Sequence, residues 1–458
     1  MPSSQRRDPH RLLPADPSTR SLANDLYARV SGAPIISPHG HVPPDLLGDD
    51  LPFADPADLF VIHDHYVTRL LHAAGVGLAD LSADADPRQA WRLLAAHWHR
   101  FAGTASGYWL EEELGKVLGI DLPLSADTAD AIYDAIVAGL AEPEFRPRAL
   151  FDRFGIEFLA TTDDPMDDLG AHARLQAEGL RVAPTFRPDR YIDPDAAGFT
   201  ASARSLLGEQ RADFAGYLAA LEQRREHFVR HGAVSADHGV VEPYTVDLEP
   251  GDAERLFQLV LAGGGTPEER RAFRGHMLLQ MARMSVDDGL VMTIHAGVFR
   301  NHSTPTFERF GPDTGHDLPV PTSFVHGLRP LLQRFGLERD LHIVLFTVDE
   351  TAYSREIAPM ASFYPSLYIG APWWFLDAPD SMARVRSAVT EIAGFYRGSG
   401  FIDDTRAFLS IPARHDTARR ADAGYLARLV REGRIDPSTA ERIIDDLVGD
   451  IPRAVFKL

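Results

Sequence analysis

Two histidines one residue apart, His39 and His41, are the clearest indication of chemistry in this chain. On a strand, residues two apart face the same side, so both imidazoles can reach one ion. Divalent metals accept imidazole nitrogens, and zinc binds them at about 2.0–2.1 Å. Two solvated histidines in a turn would give the same pattern. Asp404 and His295, each at the end of a predicted strand, favour the metal site because they offer further ligands.

The elements that must position these side chains alternate along the sequence. Eight segments rich in β-branched or apolar residues are predicted as strands: Pro34–Ser37, Ile156–Thr162, Val182–Arg187, Val234–Asp237, Leu290–His295, His342–Val348, Leu367–Ile369 and Phe401–Asp404. Helical periodicity fills most of the segments between them, for example residues 205–231 and 267–284. Such alternation is typical of a parallel sheet. Eight units predict an α/β fold of the (β/α)8 TIM-type barrel class.

Polar groups follow five of the predicted strands at their carboxyl ends. The five groups are Ser37–His41, Thr185–Asp189, Ser235–Gly239, His295–Arg300 and Asp403–Arg406. In barrels of this class the active residues come from the carboxyl ends of several strands, which meet at one face. We therefore expect all five groups to point into one shared mouth.

One connection, between the first and second predicted strands, is more than a hundred residues long. A crossover between parallel strands needs only about a dozen or more residues. Helix-like patterns occur in this stretch, for example at 91–101 and 128–140, so residues 42–150 are predicted as a helical insertion after the first strand. The predicted organisation is an N-terminal segment with the first strand in 1–41, the insertion in 42–150, the remainder of the barrel in 151–415 and C-terminal helices in 416–458.

The composition excludes several kinds of chemistry. The chain has 458 residues and no cysteine, which excludes disulfides, cysteine–metal sites and a thiolate nucleophile. Its only lysines are Lys116 and Lys457, and neither lies at a predicted strand end, which argues against Schiff-base chemistry. The net charge of −20 disfavours binding to nucleic acid or anionic membranes.

The sequence also leads to expectations about location and partners. No run approaches the ~18 apolar residues of a membrane span. The basic residues near the N-terminus are not followed by the apolar stretch of a signal peptide. We therefore expect a cytoplasmic protein without membrane partners. We also expect a homo-oligomer that binds a small-molecule partner and no nucleic acid.

The histidine pair, together with Asp404 on the last predicted strand, resembles the metal site of the amidohydrolase superfamily. The resemblance implies that His39, His41 and Asp404 hold a metal ion. Binuclear members of that superfamily add a carboxylated lysine on the fourth strand, where this chain has Asp237 and His238 instead. The prediction is therefore one divalent metal, zinc, rather than a lysine-bridged pair.

A closer resemblance, to the uronate isomerase family, covers most of the chain, from about residue 34 to 415. The matching blocks occur in the family's order: Asp64-His65-Tyr66 with Arg69, Thr161–Pro165, Pro184–Asp189, Ala236–Gly239, Ile294–Gly297 with Arg300-Asn301, Trp373-Trp374-Phe375, and Asp404–Arg406 with Phe408–Ser410 and Arg414-His415. Together these blocks are specific, although no single one is. Two departures are Ser37, where the family usually has aspartate, and Val348-Asp349, where it commonly has asparagine-proline.

This resemblance implies an aldose–ketose isomerase of sugar acids that works by metal-assisted proton transfer. The reaction would convert D-glucuronate to D-fructuronate, D-galacturonate to D-tagaturonate, or both. The resemblance also implies that Tyr66, His65, Asp404 and Arg406 handle the protons. The base that acts on carbon stays unassigned.

A sugar acid carries a carboxylate, which the predicted site must bind. Arg187 and Arg300 suit it because a guanidinium binds carboxylate through two parallel hydrogen bonds. The further substrate-binding candidates are polar or aromatic residues near strand ends: Asp237, His238, His295, Trp373 and Trp374. Asp237 and His238 could equally orient other residues, and one of the two tryptophans could belong to the core.

The alternative function is a mononuclear metal-dependent hydrolase of the same superfamily. In such an enzyme a metal-bound water attacks an ester, amide or lactone. A pocket with one arginine in an open apolar cleft would favour this hydrolase. A pair of arginines for a carboxylate would favour the isomerase.

Overall fold

The computed structural model of the protein describes residues 8–458. The strands of this part of the chain are β1 (Ile35–Ser37), β2 (Ile156–Ala160), β3 (Val182–Ala183), β4 (Ser235–Val240), β5 (Val291–Ala296), β6 (Val298–Phe299), β7 (Leu318–Pro319), β8 (Ile343–Thr347) and β9 (Leu367–Ile369). β6 and β7 pair with each other in antiparallel register as a short ribbon. The other strands pair in parallel.

The parallel strands follow the order β1-β2-β3 and β4-β5-β8-β9. Phe186 joins the two groups, because it bridges Asp163 after β2 on one side and Ala236 of β4 on the other. Helices connect the consecutive parallel strands. This is the architecture of (β/α)8 proteins, and the predicted α/β fold class is confirmed.

The predicted eighth strand, Phe401–Asp404, is wrong: these residues do not form a regular strand. Asp404 has a φ of 42°, in the left-handed region, which is incompatible with an extended strand. The surrounding segment still contacts strands on both sides. Gly398 bridges Ile369 of β9, and the backbone N–H of His41 after β1 donates to the Thr405 carbonyl oxygen at 3.0 Å.

Helices make up the described elements between β1 and β2. They are Pro44–Asp49, Asp58–Ile62, His65–Ala73, Leu78–Leu81, Pro87–Ala96, Trp98–Phe101, Ala105–Glu112, Glu113–Val117, Ala129–Leu140, Pro143–Phe145 and Pro147–Arg153. Their apolar side chains share one core with Ile35 of β1 and Leu159 of β2. The boundaries of the insertion, and of the other predicted segments, stay predictions.

The remaining helices cover the sheet and the two ends of the chain. They are Pro17–Val30, Gly170–Ala177, Asp189–Ile192, Phe199–Leu207, Phe214–Arg230, Pro250–Leu261, Pro267–Asp288, Thr304–Phe310, Phe324–Gly327, Arg329–Phe335, Glu350–Ala352, Tyr353–Ile357, Ala358–Ala361, Pro379–Ala393, Phe395–Arg397, Phe408–Ser410, Ile411–Arg431, Pro437–Val448 and Asp450–Phe456. Within residues 8–458, none of the helices is long and apolar enough to cross a bilayer.

The central strands β5 and β8 are buried along their whole length. Continuous burial is typical of parallel strands that are covered on both faces, because helices pack outside and side chains fill the interior. The interior side chains at the carboxyl ends of these strands are therefore held rigidly, which is what a reactive site requires.

Candidate functional site

A cavity of about 330 Å³ lies at the carboxyl ends of the parallel strands. Most of the predicted site residues line it: His39, His41, His65, Tyr66, Arg187, His295, Arg300, Trp373, Trp374, Asp404 and Arg406. They come from several strand ends and from the helical segment after β1. Most of the side chains that the sequence marked as candidates therefore meet in one place.

Two predicted substrate-binding residues, Asp237 and His238, do not line the cavity. Both are fully buried, and as neighbours on β4 they point to opposite faces of the sheet. Asp237 Oδ1 accepts hydrogen bonds from His295 Nδ1 at 2.7 Å and from Thr293 Oγ1 at 2.6 Å. His238 Nδ1 donates to the Thr293 carbonyl oxygen at 3.0 Å. Their contacts are with other protein groups, which is the alternative that the sequence left open.

His39, His41 and Asp404 form a candidate metal site. Each offers a ligand atom, and these atoms lie within 4.8 Å of one another. His39 Nε2 is 3.4 Å and His41 Nε2 is 3.2 Å from Asp404 Oδ1. Two imidazoles and one carboxylate suit zinc and other divalent transition metals, and three protein ligands leave a position open for substrate.

Orphaned polar atoms around this cluster test whether it fits a metal. Asp404 Oδ1, Asp237 Oδ2 and His295 Nε2 are buried and have no hydrogen-bond partner. Buried polar atoms are nearly always paired, and several orphans of ligand type in one place indicate an ion that would satisfy them. A second triplet, His39 with Asp237 and His295, also brings ligand atoms within 4.8 Å. The residues present therefore fit a metal.

Burial and neighbouring charged groups shift the pKa values of these side chains in opposite directions. Burial lowers the pKa of His41 to about 4, although Asp404 opposes the shift. Burial also acts to lower the pKa of His39, but the charges of Asp237 and Asp404 outweigh it and raise that pKa. Burial acts to raise the pKa of Asp404, yet His39 and His41 hold it well below its ordinary value. Asp404 is therefore ionised at neutral pH, as a metal ligand must be.

Arg187 lies beside this cluster and is held by two carboxylates. Its Nε donates to Asp189 Oδ2 at 2.8 Å, and its Nη1 is 3.4 Å from Asp237 Oδ2. The backbone N–H of Gly239 donates to the same Asp189 carboxylate at 3.0 Å. Burial acts to lower the pKa of Arg187, but Asp189 and Asp237 outweigh it and raise that pKa. The guanidinium is therefore charged and fixed in position.

His65 and Tyr66 reach the cavity from the first turn of the helix His65–Ala73. Asp64 caps this helix, because its carboxylate accepts from the backbone N–H groups of Tyr66 at 2.8 Å and Val67 at 3.4 Å. The His65 ring packs against Trp374, with centroids 4.9 Å apart. The cap therefore sets the direction in which both side chains enter the cavity.

Trp373 and Trp374 are both buried, and both line the cavity. The Trp373 ring meets His295 at 4.7 Å between centroids. Arg300 lies over the Trp374 ring at 4.9 Å from its centroid. Each tryptophan thus forms part of the cavity wall, so neither serves only the core.

Two carboxylates that the sequence did not single out pair with arginines of the cavity. Asp313 accepts from Arg406 Nη1 at 2.7 Å, and Asp317 accepts from Arg300 Nη1 at 2.9 Å. Both lie between the short helix Thr304–Phe310 and β7. The segment packs closely on the helix of His65, because a Cβ at Gly315 would lie only 3.0 Å from the His65 carbonyl oxygen. The sequence Gly-Pro-Asp that ends at Asp313 is typical of a turn, and it did not indicate that this carboxylate pairs with an arginine of the cavity.

A third such carboxylate, Asp377, lines the cavity together with Arg414. Asp377 Oδ2 accepts from the Tyr66 hydroxyl at 2.9 Å and from Arg414 Nη1 at 2.9 Å. Arg414 stood in a matching block of the sequence without an assigned role. Asp377 carried no sequence signal beyond its place shortly after Trp373-Trp374-Phe375.

The sequence profile of a family described as glucuronate isomerase matches residues 18–455. The chain belongs to the glucuronate isomerase family. Among similar members, the uronate isomerase of Rhizorhabdus wittichii is 52% identical, with 99% of each chain aligned. The uronate isomerase of Corynebacterium efficiens is 50% identical, with 100% of each chain aligned.

A solved member of the glucuronate isomerase family has the same fold. The crystal structure of glucuronate isomerase from Caulobacter crescentus matches with a TM-score of 0.96 and 46% identity, covering 98% of this chain and 96% of that one. The resemblance inferred from the sequence motifs is confirmed. The chain is an enzyme of a family of aldose–ketose isomerases that act on sugar acids.

Gly239 leaves the space that Arg187 occupies, and filling that space should impair the enzyme. A Cβ at Gly239 would lie 2.5 Å from Arg187 Nη2 and 2.9 Å from Asp189 Oδ2. The added methyl group would displace the Arg187 guanidinium and cost it hydrogen bonds, and hydrogen bonds to charged groups are worth about 1.5–3 kcal/mol. We therefore expect Gly239→Ala to lower kcat/KM for sugar-acid isomerisation about tenfold or more. Steady-state kinetics measures this.

The matched control for this change is Gly251→Ala. A Cβ at Gly251 meets no atom within 4 Å, so its kinetics should equal those of the unchanged enzyme. If the Gly239→Ala variant were as active as the Gly251→Ala variant, the exact position of the Arg187 guanidinium would not matter for activity.

Proposed function

We propose that the protein interconverts hexuronates and their keto isomers: D-glucuronate and D-fructuronate, D-galacturonate and D-tagaturonate, or both. The observation that carries this proposal is a single cavity that combines a His/Asp cluster of metal-ligand type with four arginines, namely Arg187, Arg300, Arg406 and Arg414. Such a cavity suits a small molecule that is both a carboxylate and a carbonyl compound. Relatives 50% and 52% identical are named uronate isomerases, which supports the same activity.

We propose that one divalent cation, zinc, is held by His39, His41 and Asp404. The close approach of their ligand atoms and the orphaned Asp404 Oδ1 support this assignment. Bound there, the cation would act as a Lewis acid on the carbonyl and hydroxyl oxygens of the substrate. His295 lies at the edge of this cluster, where Asp237 fixes its ring and its Nε2 is 4.0 Å from Asp404 Oδ2.

We propose that Arg187 and Arg300 bind opposite ends of the substrate. The reacting carbons must lie beside the cluster, where Arg187 is only 22% exposed and already paired with two carboxylates. The substrate carboxylate then extends outward to Arg300, whose side chain is 41% exposed. There it competes with Asp317 for the guanidinium. A charged, planar donor pair gives this end of the cavity its preference for carboxylates.

We propose that Tyr66, His65, Asp404 and Arg406 handle protons. An aldose–ketose interconversion moves one proton between adjacent carbons and another between their oxygens, so it needs several acid–base groups along one face. Burial lowers the pKa of His65, which keeps its ring neutral at pH 7. Burial, with the charge of Asp377, raises the pKa of Tyr66 well above its ordinary value, so the phenol keeps its proton.

The other predicted residues have supporting roles in this proposal. Asp237 and His238 orient the strand ends around His295, as their hydrogen bonds suggest. Trp373 and Trp374 form an apolar wall that excludes water from the reacting atoms. The helical insertion of residues 42–150 supplies His65 and Tyr66 to the cavity. We propose that the enzyme is cytoplasmic and homo-oligomeric; light scattering after size-exclusion chromatography tests the oligomer.

Product analysis tests the reaction. Purified protein incubated with D-glucuronate or D-galacturonate should yield D-fructuronate or D-tagaturonate, identified by NMR. The hydrolase alternative predicts that no uronate is converted and that an ester, amide or lactone is cleaved, and this pair of outcomes would overturn the isomerase proposal. The four arginines of the cavity already favour the isomerase, because a cavity with a single arginine was expected for the hydrolase.

Metal analysis tests the cluster. We expect elemental analysis to find one zinc per chain, and a chelator to remove the activity until zinc is restored. His41→Ala should leave clearly less than one metal per chain, because one of three ligands is lost. The control is His326→Ala, since His326 is exposed and lies outside the cavity. Two tightly bound metals per chain would contradict the single-metal site.

Substitution of Arg300 tests the carboxylate site. Lysine keeps the charge but loses the planar donor pair, so Arg300→Lys should raise KM for the uronate about tenfold, in line with about 1.5–3 kcal/mol for such hydrogen bonds. Arg309→Lys is the matched control, because Arg309 lies nearby in the chain but is exposed and outside the cavity. Equal KM values for the two variants would remove Arg300 from the binding site.

A further inference from the structure

Asp377 is a buried carboxylate inside the cavity. Its side chain lies among cavity-lining residues although only 6% of the residue is exposed. Its Oδ2 receives two hydrogen bonds, from the Tyr66 hydroxyl and from Arg414 Nη1, each at 2.9 Å. A purely structural ion pair with Arg414 would not require the tyrosine.

Arg414 fixes this carboxylate in place. Its Nε donates to Ser410 Oγ at 3.1 Å, and its guanidinium stacks on the Trp109 ring at 3.8 Å from the centroid. Both long-range partners of Asp377 are buried, so the three side chains form one rigid unit. Asp377 can move little without breaking the contacts of Arg414.

The contact with Asp377 decides what the Tyr66 oxygen can do. A phenol has one O–H to donate and lone pairs that accept. In this structure the O–H is donated to Asp377, so the lone pairs of the Tyr66 oxygen are left to accept a hydrogen bond from the cavity. A substrate hydroxyl is a donor of the right kind. Tyr66 is then oriented as an acceptor toward the substrate instead of as a donor.

We propose that Asp377 is the positioning residue of Tyr66 and its partner in proton transfer, a role that rests on the proposed isomerase function. The hydroxyl on the carbon next to the carbonyl gives its proton to the Tyr66 oxygen, while Tyr66 passes its own proton to Asp377. The same two transfers in reverse deliver a proton to the former carbonyl oxygen. Tyr66 and Asp377 end as they began, and no oxidant or reductant takes part.

A double-mutant cycle tests this role, because residues that act as a unit are not additive. Loss of a proton-transfer group costs about 10²–10⁴ in rate, so Tyr66→Phe should lower kcat by about a hundredfold or more. Asp377→Asn alone should lower kcat to a similar extent with little change in KM. In the Tyr66→Phe background, Asp377→Asn should change kcat by less than about twofold.

Removing a buried charge partner also destabilises a protein, so a control for stability is needed. Asp288 pairs with the buried Arg225 outside the cavity, with Arg225 Nε 2.6 Å from Asp288 Oδ2. Asp288→Asn should lower the melting temperature as Asp377→Asn does, but leave kcat unchanged. If Asp377→Asn does not fold, Asp377→Glu takes its place in the same cycle. It keeps a charge for Arg414 but shifts the carboxylate by one methylene.

The outcomes separate this inference from the proposed reaction. Conversion of a uronate by the unchanged enzyme, with a non-additive cycle, supports both. Conversion with equal losses of kcat in the two Tyr66 backgrounds, or with full activity of both Asp377 variants, overturns the role of Asp377 alone. Absence of any uronate conversion by the unchanged enzyme overturns the proposed function, and the inference with it.

Discussion

The site depends on keeping two carboxylates charged inside the protein. Burial acts to raise the pKa of Asp237 and Asp404 and so favours their neutral forms. The neighbouring His295, His39 and Arg187 reverse this effect at Asp237, and the neighbouring His39 and His41 reverse it at Asp404. Each charge is thus compensated by neighbours that it also holds in place. The parallel strands supply the rigid frame, because their carboxyl ends bring these side chains together from distant parts of the chain.

Sugar acids are anions, whereas the net charge of the protein is −20. Positive charge must therefore be concentrated locally, at the site that binds the substrate. The cavity achieves this with arginines, and each of its exposed arginines already has a carboxylate partner. Arg300 pairs with Asp317 and Arg406 pairs with Asp313. These pairs hold the guanidinium groups in place, and under the proposed function such order would lower the entropy lost on substrate binding.

Side chains from three distant parts of the chain meet beside the hydroxyl group of Tyr66. The capped helix after β1 brings the tyrosine, the segment after β9 brings Asp377, and a C-terminal helix brings Arg414. Breaking a buried pair is costly, whereas the intact pair adds little to stability. Here the hydroxyl of Tyr66 donates to Asp377, so only the lone pairs of its oxygen are left for a further hydrogen bond. The fold thereby gives one side chain a direction as well as a position.

The sequence by itself determined the family, the α/β class, most strand positions and eleven of the side chains that line the cavity. It could do so because these features rest on local patterns: His39 and His41 are two residues apart, and polar groups directly follow the strands. Only the tertiary structure decided that Asp404 has a φ of 42° in place of a strand conformation, and that Asp237 and His238 lie behind the cavity surface. It alone revealed the carboxylates Asp313, Asp317 and Asp377. The physical reason is distance along the chain: Tyr66 and Asp377 are 311 positions apart, and tertiary packing, not any local preference, brings them into contact.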